Sequence, residues 1–234
     1  IISKGDNNMS NLGFRIFSDI ERPEKELIEA FRELPVANID DNMGRIAAVD
    51  SAIKPYNKAK LLGTAFTVKT AQGDNLMFHK ALDLAKEGDV IVVAGFGYLE
   101  RSLCGEIMMN YAKMKKFAGF VIDGAIRDVD ATSKMDFPVY ARGVQPNGPY
   151  KNGPGEINVP VSIGGQVVFP GDIVVGDEDG VIFIRPEDAP ELIEKVKAFN
   201  KNEEVILGNL DKGIPMDRAW VDKTLNDKGC EIVE

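Results

Sequence analysis

The chain has 234 residues, a formal net charge of −9, 44% hydrophobic residues and 28% charged residues. This is ordinary globular composition, and the length suffices for one large domain or two small ones. The acidic excess argues against a nucleic-acid surface, so an anionic ligand would need a local group of cations. No apolar run approaches the roughly 20 residues that span a bilayer, which argues against a membrane protein.

The first half of the chain predicts helices alternating with strands. A helix is predicted over 23–34, within an N-terminal helical segment of 22–35, and an acidic segment follows over 36–44. Further along we predict a strand over 62–69, a helix over 76–86 capped by Gly73-Asp74-Asn75, a strand over 90–93, a helix over 103–116 with Ser102 as its N-cap, and a strand over 118–122. Strands that alternate with helices indicate a parallel sheet.

The pattern changes after Pro138. Short strands separated by Gly and Pro are predicted over 139–143, 157–163, 167–168, 172–175 and 181–184, which is typical of a small barrel or curled sheet. The acidic run 176–180 lacks the EF-hand ligand pattern and is interpreted as a hairpin turn. Residues 186–234 form a C-terminal helical segment, and the absence of repeats and low-complexity linkers favours one domain over 1–234.

The two cysteines and residues 1–10 indicate the cellular compartment expected for the protein. Cys104 and Cys230 lie far apart and form no metal-ligand spacing, so we expect reduced thiols in a cytoplasmic protein. Residues 1–10 lack a basic region followed by an apolar stretch, so no signal peptide is expected there.

The most informative stretch is Gly119–Asp128. An apolar strand is predicted to end at the turn signal Asp123-Gly124, with Arg127 and Asp128 just beyond it. Ligands of α/β proteins bind at that edge of the sheet. A guanidinium donates two parallel hydrogen bonds to a carboxylate, and a carboxylate binds a hard divalent cation. The pair therefore suits a small anion chelated by a metal, although a capping aspartate beside a surface arginine is the structural alternative.

Three other features are weaker candidates. Gly105-Glu106 is predicted in the first turn of a helix, where free N–H groups bind carboxylate or phosphate, unless the glycine serves packing alone. His79, the sole histidine, is expected in the core or an interface, so a His-led triad or His-ligated zinc has little support. Gly95-Phe96-Gly97 lacks the third glycine of a dinucleotide fingerprint.

Taken in order, the motifs resemble the family of 4-hydroxy-4-methyl-2-oxoglutarate aldolases and the related regulator of ribonuclease activity A. The resemblance covers about 36–208 and rests on V-A-N-I-D-D-N-M-G (36–44), L-G-T-A-F-T-V (62–68), G-D-N-L (73–76), E-G-D-V-I-V-V (87–93), C-G-E-I-M (104–108), G-F-V-I-D-G-A-I-R-D (119–128) and F-P-G-D-I-V-V-G-D-E-D-G-V (169–181). It implies a swivelling-type α/β/α sandwich around a small barrel-like β core. It also implies a homotrimer or homohexamer with active sites at subunit interfaces.

The resemblance also implies roles for residues of the substrate site. Backbone N–H groups of the segment Gly105, Glu106, Ile107 and Met108 would bind the substrate carboxylate. Arg127 would bind pyruvate or its enolate and carry catalysis. A metal-bound water is the first candidate for the general base, and Glu106 is the alternative.

A divalent metal, Mg²⁺ or Mn²⁺, is the implied cofactor. Asp128 would hold it, and Glu203 or Glu204 of a neighbouring subunit would approach it through water. One departure concerns Asp40-Asp41-Asn42, which stands where the family carries Ser-Asp-Ala. If this segment lines a neighbour's site, substrate preference is expected to differ.

The implied activity is that of a class II aldolase, a lyase that cleaves 4-hydroxy-4-methyl-2-oxoglutarate or a related 4-hydroxy-2-oxo diacid to pyruvate. Oxaloacetate decarboxylation is the expected side activity, because loss of CO₂ leaves the same enolate. The lack of a suitable lysine motif argues weakly against a Schiff-base aldolase. The alternative is a non-catalytic regulator that binds and inhibits an RNA-degrading endonuclease. A methyltransferase is excluded, because no glycine-rich adenosylmethionine loop follows the first strand.

Overall fold

Four parallel strands form the centre of the fold in a computed structural model that describes residues 11–233. They are β3 (Leu61–Thr70), β4 (Asp89–Cys104), β5 (Gly119–Ile126) and β6 (Val139–Val144), each paired in parallel with the next. They are connected by α3 (Leu76–Leu84), α4 (Glu106–Met114) and α5 (Val129–Ser133). The predicted parallel sheet and the α/β class are confirmed.

Shorter strands extend this sheet. They are β1 (Phe14–Ile16), β2 (Lys54–Pro55), β7 (Gly155–Ile157), β10 (Ile173–Gly176) and β11 (Val181–Ile184). Within residues 11–233 the nine-stranded sheet runs β1-β7-β3-β4-β5-β6-β2, and β10 pairs with both β3 and β11. The acidic run at 176–180 is the predicted hairpin turn, since Gly176 pairs with Val181. A separate hairpin joins β8 (Val161–Ile163) to β9 (Gln166–Val168), so the strand predicted over 157–163 is two strands.

The sheet is buried on both faces, which explains its long apolar runs. On one face Phe120 packs edge-on against Phe78 of α3 and against Phe137, with ring centroids 5.0 Å apart in both pairs. On the other face Val121 packs with Tyr140 and with the β8–β9 hairpin. Because its apolar core holds these strands rigid, the sheet gives the loops at its edge fixed positions.

Two boundaries next to the candidate site differ from the prediction. β4 continues to Cys104, so the helix predicted from 103 begins at Glu106, and Ser102 lies in the strand rather than at an N-cap. β5 runs through Asp123-Gly124, which is therefore not a turn. In both cases long-range pairing outweighs local signals: Ser102 pairs with Ala125 across register shifts in the ladder.

The helices near the N-terminus and the first helix of the C-terminal segment cover β10 and β11. α1 (Lys25–Glu29) is shorter than the helix predicted over 23–34, and α2 (Val36–Asn42) occupies the acidic segment. α6 (Ala189–Leu210) and α7 (Ala219–Asp227) form the C-terminal helical segment. Among the helices of residues 11–233, none combines the length and the apolar character of a membrane span. The prediction about a signal peptide falls on residues 1–10, outside the described residues.

Candidate active site

The carboxyl ends of β4 and β5 bring the main candidates together. Cys104 and Ile126 are paired at the ends of these strands, and Arg127 N donates a hydrogen bond of 3.0 Å to Cys104 O. Gly105 and Arg127, which are 22 positions apart in sequence, therefore lie side by side. This is the edge at which α/β sheets bind ligands.

Asp128 has an unusual backbone conformation and an accessible carboxylate. Its φ of 61° and ψ of 40° lie in the left-handed region, where aspartate is more often found than most non-glycine residues. Its Oδ2 accepts a hydrogen bond of 2.9 Å from Glu106 N and lies 3.8 Å from Arg127 Nε. The Arg127 and Asp128 side chains are 44% and 42% exposed, so they do not form a closed internal ion pair.

Gly105 makes this close arrangement possible. Its φ of −150° is extended backbone that any residue adopts, so glycine is needed here for space rather than for conformation. A Cβ atom would lie 3.0 Å from both Cγ and Nε of Arg127, and still closer to Asp128 Oδ2. Any side chain at this position would therefore displace Arg127 or Asp128.

The start of α4 leaves two amides free. Glu106 N is bonded to Asp128, and Met108 N donates to Gly105 O at 3.1 Å. Gly105 N and Ile107 N donate to no other group of the described chain. Free N–H groups at a helix N-terminus bind anions, so two of the four amides suggested by the resemblance are available for a carboxylate.

These groups border a pocket of about 170 Å³. Its lining comprises Asn75, His79, Ser102, Leu103, Cys104, Gly105, Ile107, Met108, Arg127, Asp128, Pro149 and Lys151. Burial raises the pKa of the Cys104 thiol, which makes Cys104 a poor nucleophile. Cys104 and Cys230 are both free thiols, as expected.

Asn75 is a pocket residue that sequence reasoning treated only as part of a helix cap. It is 2% exposed, and its Nδ2 donates to Leu103 O at 2.9 Å. Its Oδ1 has no hydrogen-bond partner among residues 11–233. Leaving a buried polar atom unpaired costs about 1–3 kcal/mol, so this oxygen is suited to accept a hydrogen bond from a ligand or water.

His79 lies on the pocket wall, half-buried, rather than in the core. Burial lowers the pKa of His79, and the positive charge of nearby Lys151 lowers this pKa further. Because the ordinary value is already below neutrality, the imidazole is uncharged near neutral pH. Nothing in the local sequence indicated that His79 and Lys151 line one pocket, since they come from α3 and from the loop 145–154.

The pocket residues fit a divalent metal held by one carboxylate. Within the part of the chain that the structure describes, no group of three His, Cys, Asp or Glu residues could hold a metal. Mg²⁺ is nevertheless commonly bound through one or two carboxylates, with water and substrate oxygens as its remaining ligands. Asp128 can supply that carboxylate, since hydrogen bonding from Glu106 engages its Oδ2 alone.

The other acidic candidates lie outside the pocket lining of their own chain. Glu106 is exposed at the first position of α4, and its backbone N–H donates the hydrogen bond to Asp128. Glu203 and Glu204 lie on α6, where Glu203 Oε2 accepts a hydrogen bond of 2.5 Å from Asn38 Nδ2. A role for either α6 glutamate at the metal therefore depends on a second subunit.

Asp74 connects two walls of the pocket, and we expect it to be essential for stability. Its buried carboxylate accepts hydrogen bonds from Leu76 N at 2.9 Å, Asn152 N at 2.5 Å and Gly153 N at 3.0 Å. Asp74→Ala leaves these donors unpaired and should lower the free energy of unfolding by about 3 kcal/mol, measured by urea denaturation. Asp83→Ala, which removes an exposed partner of Lys80, is the control and should have little effect. Equal losses for the two variants would contradict this role.

The fold and the pocket define the class: an α/β protein with a pocket lined by charged side chains at the carboxyl edge of its parallel sheet. Comparison with known families gives the particular family. The model of the RraA-like family, Aldolase/RraA, matches residues 36–183, and the chain belongs to this family. The resemblance inferred from the sequence is thereby confirmed.

Among the relatives are one named as an aldolase and two solved structures named as RraA proteins. A Halalkalibacterium halodurans protein named "Putative 4-hydroxy-4-methyl-2-oxoglutarate aldolase" is 36% identical over 208 residues, covering 88% of this chain and 99% of its own. The solved structure of Streptomyces coelicolor RraAS2, from the RNase ES inhibitor RraA family, has a TM-score of 0.73 at 27% identity over 80% of this chain and 98% of its own. The Thermus thermophilis RNA-processing inhibitor RraA has a TM-score of 0.60 at 29% identity, covering 65% of this chain and 93% of its own.

Proposed function

We propose that the protein is a class II aldolase, a lyase that depends on Mg²⁺ or Mn²⁺. Its substrate would be 4-hydroxy-4-methyl-2-oxoglutarate or a related 4-hydroxy-2-oxo diacid, and its product pyruvate. The observation that carries this proposal is the convergence of Arg127, Asp128 and two free amides on one pocket. The name of the Halalkalibacterium halodurans relative supports the same chemistry.

The carboxylate and the keto group of a 2-oxo acid each have a matching group in this pocket. The free amides of Gly105 and Ile107, at the positive end of α4, suit the carboxylate. The Arg127 guanidinium offers a fork of donors to the oxygens of pyruvate. Asp128, oriented by Glu106 N, would hold the metal ion, which when bound supplies Lewis acidity to the keto group.

In the proposed cleavage the C3–C4 bond of the substrate breaks, and its electron pair becomes that of a pyruvate enolate. The C4 hydroxyl loses its proton as the second product becomes a ketone, and the enolate later takes a proton at C3. Arg127 stabilises negative charge that develops only as the bond breaks, so its contribution is to the transition state. The candidates to accept the hydroxyl proton are a water molecule in the pocket and, as the alternative, the Glu106 carboxylate, which is exposed beside the free amides but does not line the pocket. Oxaloacetate would give the same enolate by loss of CO₂.

The direct test is pyruvate release from 4-hydroxy-4-methyl-2-oxoglutarate, followed with a coupled lactate dehydrogenase assay. We expect turnover with MgCl₂ or MnCl₂, its loss on adding EDTA, and its return when excess metal is restored. The coupling enzyme is checked separately with added pyruvate in EDTA. Turnover that continues unchanged in EDTA would contradict the metal-dependent scheme.

A second candidate function is a non-catalytic regulator that binds and inhibits an RNA-degrading endonuclease. It is supported by the names of the Streptomyces coelicolor and Thermus thermophilis structures. A pull-down against a purified endonuclease of that class, run beside the pyruvate assay, separates the two functions. Binding and inhibition of the nuclease without pyruvate release would favour the regulator.

We also retain the proposal of a cytoplasmic homotrimer or homohexamer with its sites at subunit interfaces. Ile107 supports it, because this apolar pocket residue is 84% exposed in a single chain. A neighbouring subunit would cover such a side chain and could bring Glu203 or Glu204 to the metal.

A further inference from the structure

The pocket contains a second cation that the scheme above does not use. Lys151 lines the pocket, is exposed, and forms no salt bridge with another residue of the described chain. Lys151 also lies close enough to His79 for its positive charge to lower the pKa of that residue. The pocket therefore presents two cationic side chains, Lys151 and Arg127, beside the carboxylate of Asp128.

The backbone on both sides of Lys151 is held in place. Before it, Tyr150 N donates to Gly73 O at 2.8 Å, and Tyr150 O accepts from Asn75 N at 3.0 Å. After it, Asn152 N donates to the buried carboxylate of Asp74 at 2.5 Å. A cation carried on backbone fixed in this way loses less conformational freedom on binding a ligand than one on a free loop.

The groups around Lys151 also favour a polar ligand. Asn75 Oδ1 is buried without a partner within residues 11–233, while its amide nitrogen is held by Leu103 O. The acceptor oxygen is therefore the part of this buried side chain that lacks a partner, and it suits a hydroxyl group or a water molecule that reaches it from the pocket. Because His79 is uncharged, it neither repels the Lys151 ammonium group nor competes with it for an anionic group of the ligand.

We propose that Lys151 is the residue that selects diacids, by binding the carboxylate farther from the keto group while Arg127 and the amides hold the near end. This inference rests on the proposed function, because it assigns the far end of the same substrate. A charge-assisted contact of this kind should separate a diacid from a monoacid of equal length by on the order of 10-fold in affinity.

A pair of matched ligands tests this without turnover. 2-Oxoglutarate and 2-oxopentanoate have the same chain length, and they differ in a terminal carboxylate against a methyl group. Neither carries the C4 hydroxyl that retro-aldol cleavage needs. Isothermal titration calorimetry of the full chain in MgCl₂ gives the ratio of the two dissociation constants.

For the wild-type protein we expect 2-oxoglutarate to bind about 10-fold more tightly. Lys151→Met should bring the ratio close to one, mainly by weakening 2-oxoglutarate, whereas Lys151→Arg should keep most of the preference. Lys80→Met is the matched control, because Lys80 is on α3 beside His79 but pairs with Asp83 outside the pocket. Lys151 is exposed, so its variants should keep the wild-type melting temperature.

The outcomes separate the subsite from the reaction. The proposed role of Lys151 is wrong if the ratio of the two dissociation constants is unchanged in Lys151→Met. It is also wrong if the wild-type ratio is near one, or if neither ligand binds. Failure of the wild-type protein to release pyruvate, with the binding ratio intact and lost in Lys151→Met, overturns the proposed reaction and supports the subsite.

Discussion

Replacing Arg127 with methionine should slow pyruvate release on the order of 10²-fold or more, as for other preorganised donors to a developing oxyanion. The guanidinium borders the pocket and is 44% exposed, with Nε still 3.8 Å from Asp128 Oδ2, so it is available to the ligand. Because the charge it stabilises arises only in the transition state, kcat and kcat/KM should fall together. Steady-state kinetics with 4-hydroxy-4-methyl-2-oxoglutarate measure both.

Two further variants sharpen this prediction. Arg127→Lys keeps the positive charge but loses the paired N–H donors of the guanidinium, so its activity should lie between those of the wild type and Arg127→Met. Arg32→Met removes an arginine paired with Glu29 on the surface and should leave turnover unchanged. Near wild-type kcat in Arg127→Met would remove Arg127 from the reaction.

Replacing Asp128 with asparagine should weaken Mn²⁺ binding by at least about 100-fold. Losing a residue that only hydrogen-bonds to a metal ligand already costs up to about 100-fold in affinity, and Asp128 is proposed as a ligand itself. Asparagine keeps the shape of the side chain and tolerates the left-handed conformation at φ 61°. Its carbonyl oxygen can still accept the hydrogen bond from Glu106 N. The variant therefore removes the charge while disturbing the fold little. Electron paramagnetic resonance of free Mn²⁺ measures the affinity, and pyruvate release should fall with it.

The control for Asp128 lies two residues further on. Asp130 is exposed and pairs with Lys134, so Asp130→Asn should bind Mn²⁺ as the wild type does. Melting temperatures of both variants check that each remains folded. Wild-type Mn²⁺ affinity in Asp128→Asn would place the metal on other residues.

The central strands and their parallel arrangement could be predicted because their signals are local. Val90–Val93 and Phe120–Ile122 are continuous apolar runs, and the structure buries them completely between two layers. The position of Arg127 and Asp128 just past β5 followed from the same reasoning. The strand predicted over 62–69 and the helix predicted over 76–86 likewise correspond to β3 and α3.

The errors came where pairing between distant segments overrides local signals. Residues 102–104 have a helical pattern but complete β4, because β5 supplies their hydrogen-bond partners. Asp123-Gly124 has the composition of a turn but lies within β5, where Arg142 binds the Asp123 carboxylate at 2.6 Å. Neither β5 as the partner of residues 102–104 nor Arg142 as the partner of Asp123 can be identified from the neighbouring residues in the sequence.

By itself the sequence determined the parallel core, the family resemblance and the Arg127–Asp128 pair at the edge of the sheet, since apolar periodicity and ordered motifs are properties of contiguous residues. Only the tertiary structure decided that Asn75, His79 and Lys151 share a pocket with that pair. Asn75 directly precedes α3 and His79 lies on it, whereas Lys151 comes from a loop more than 70 positions further along the chain. The buried carboxylate of Asp74 joins the two segments through hydrogen bonds whose distant partners leave no local pattern.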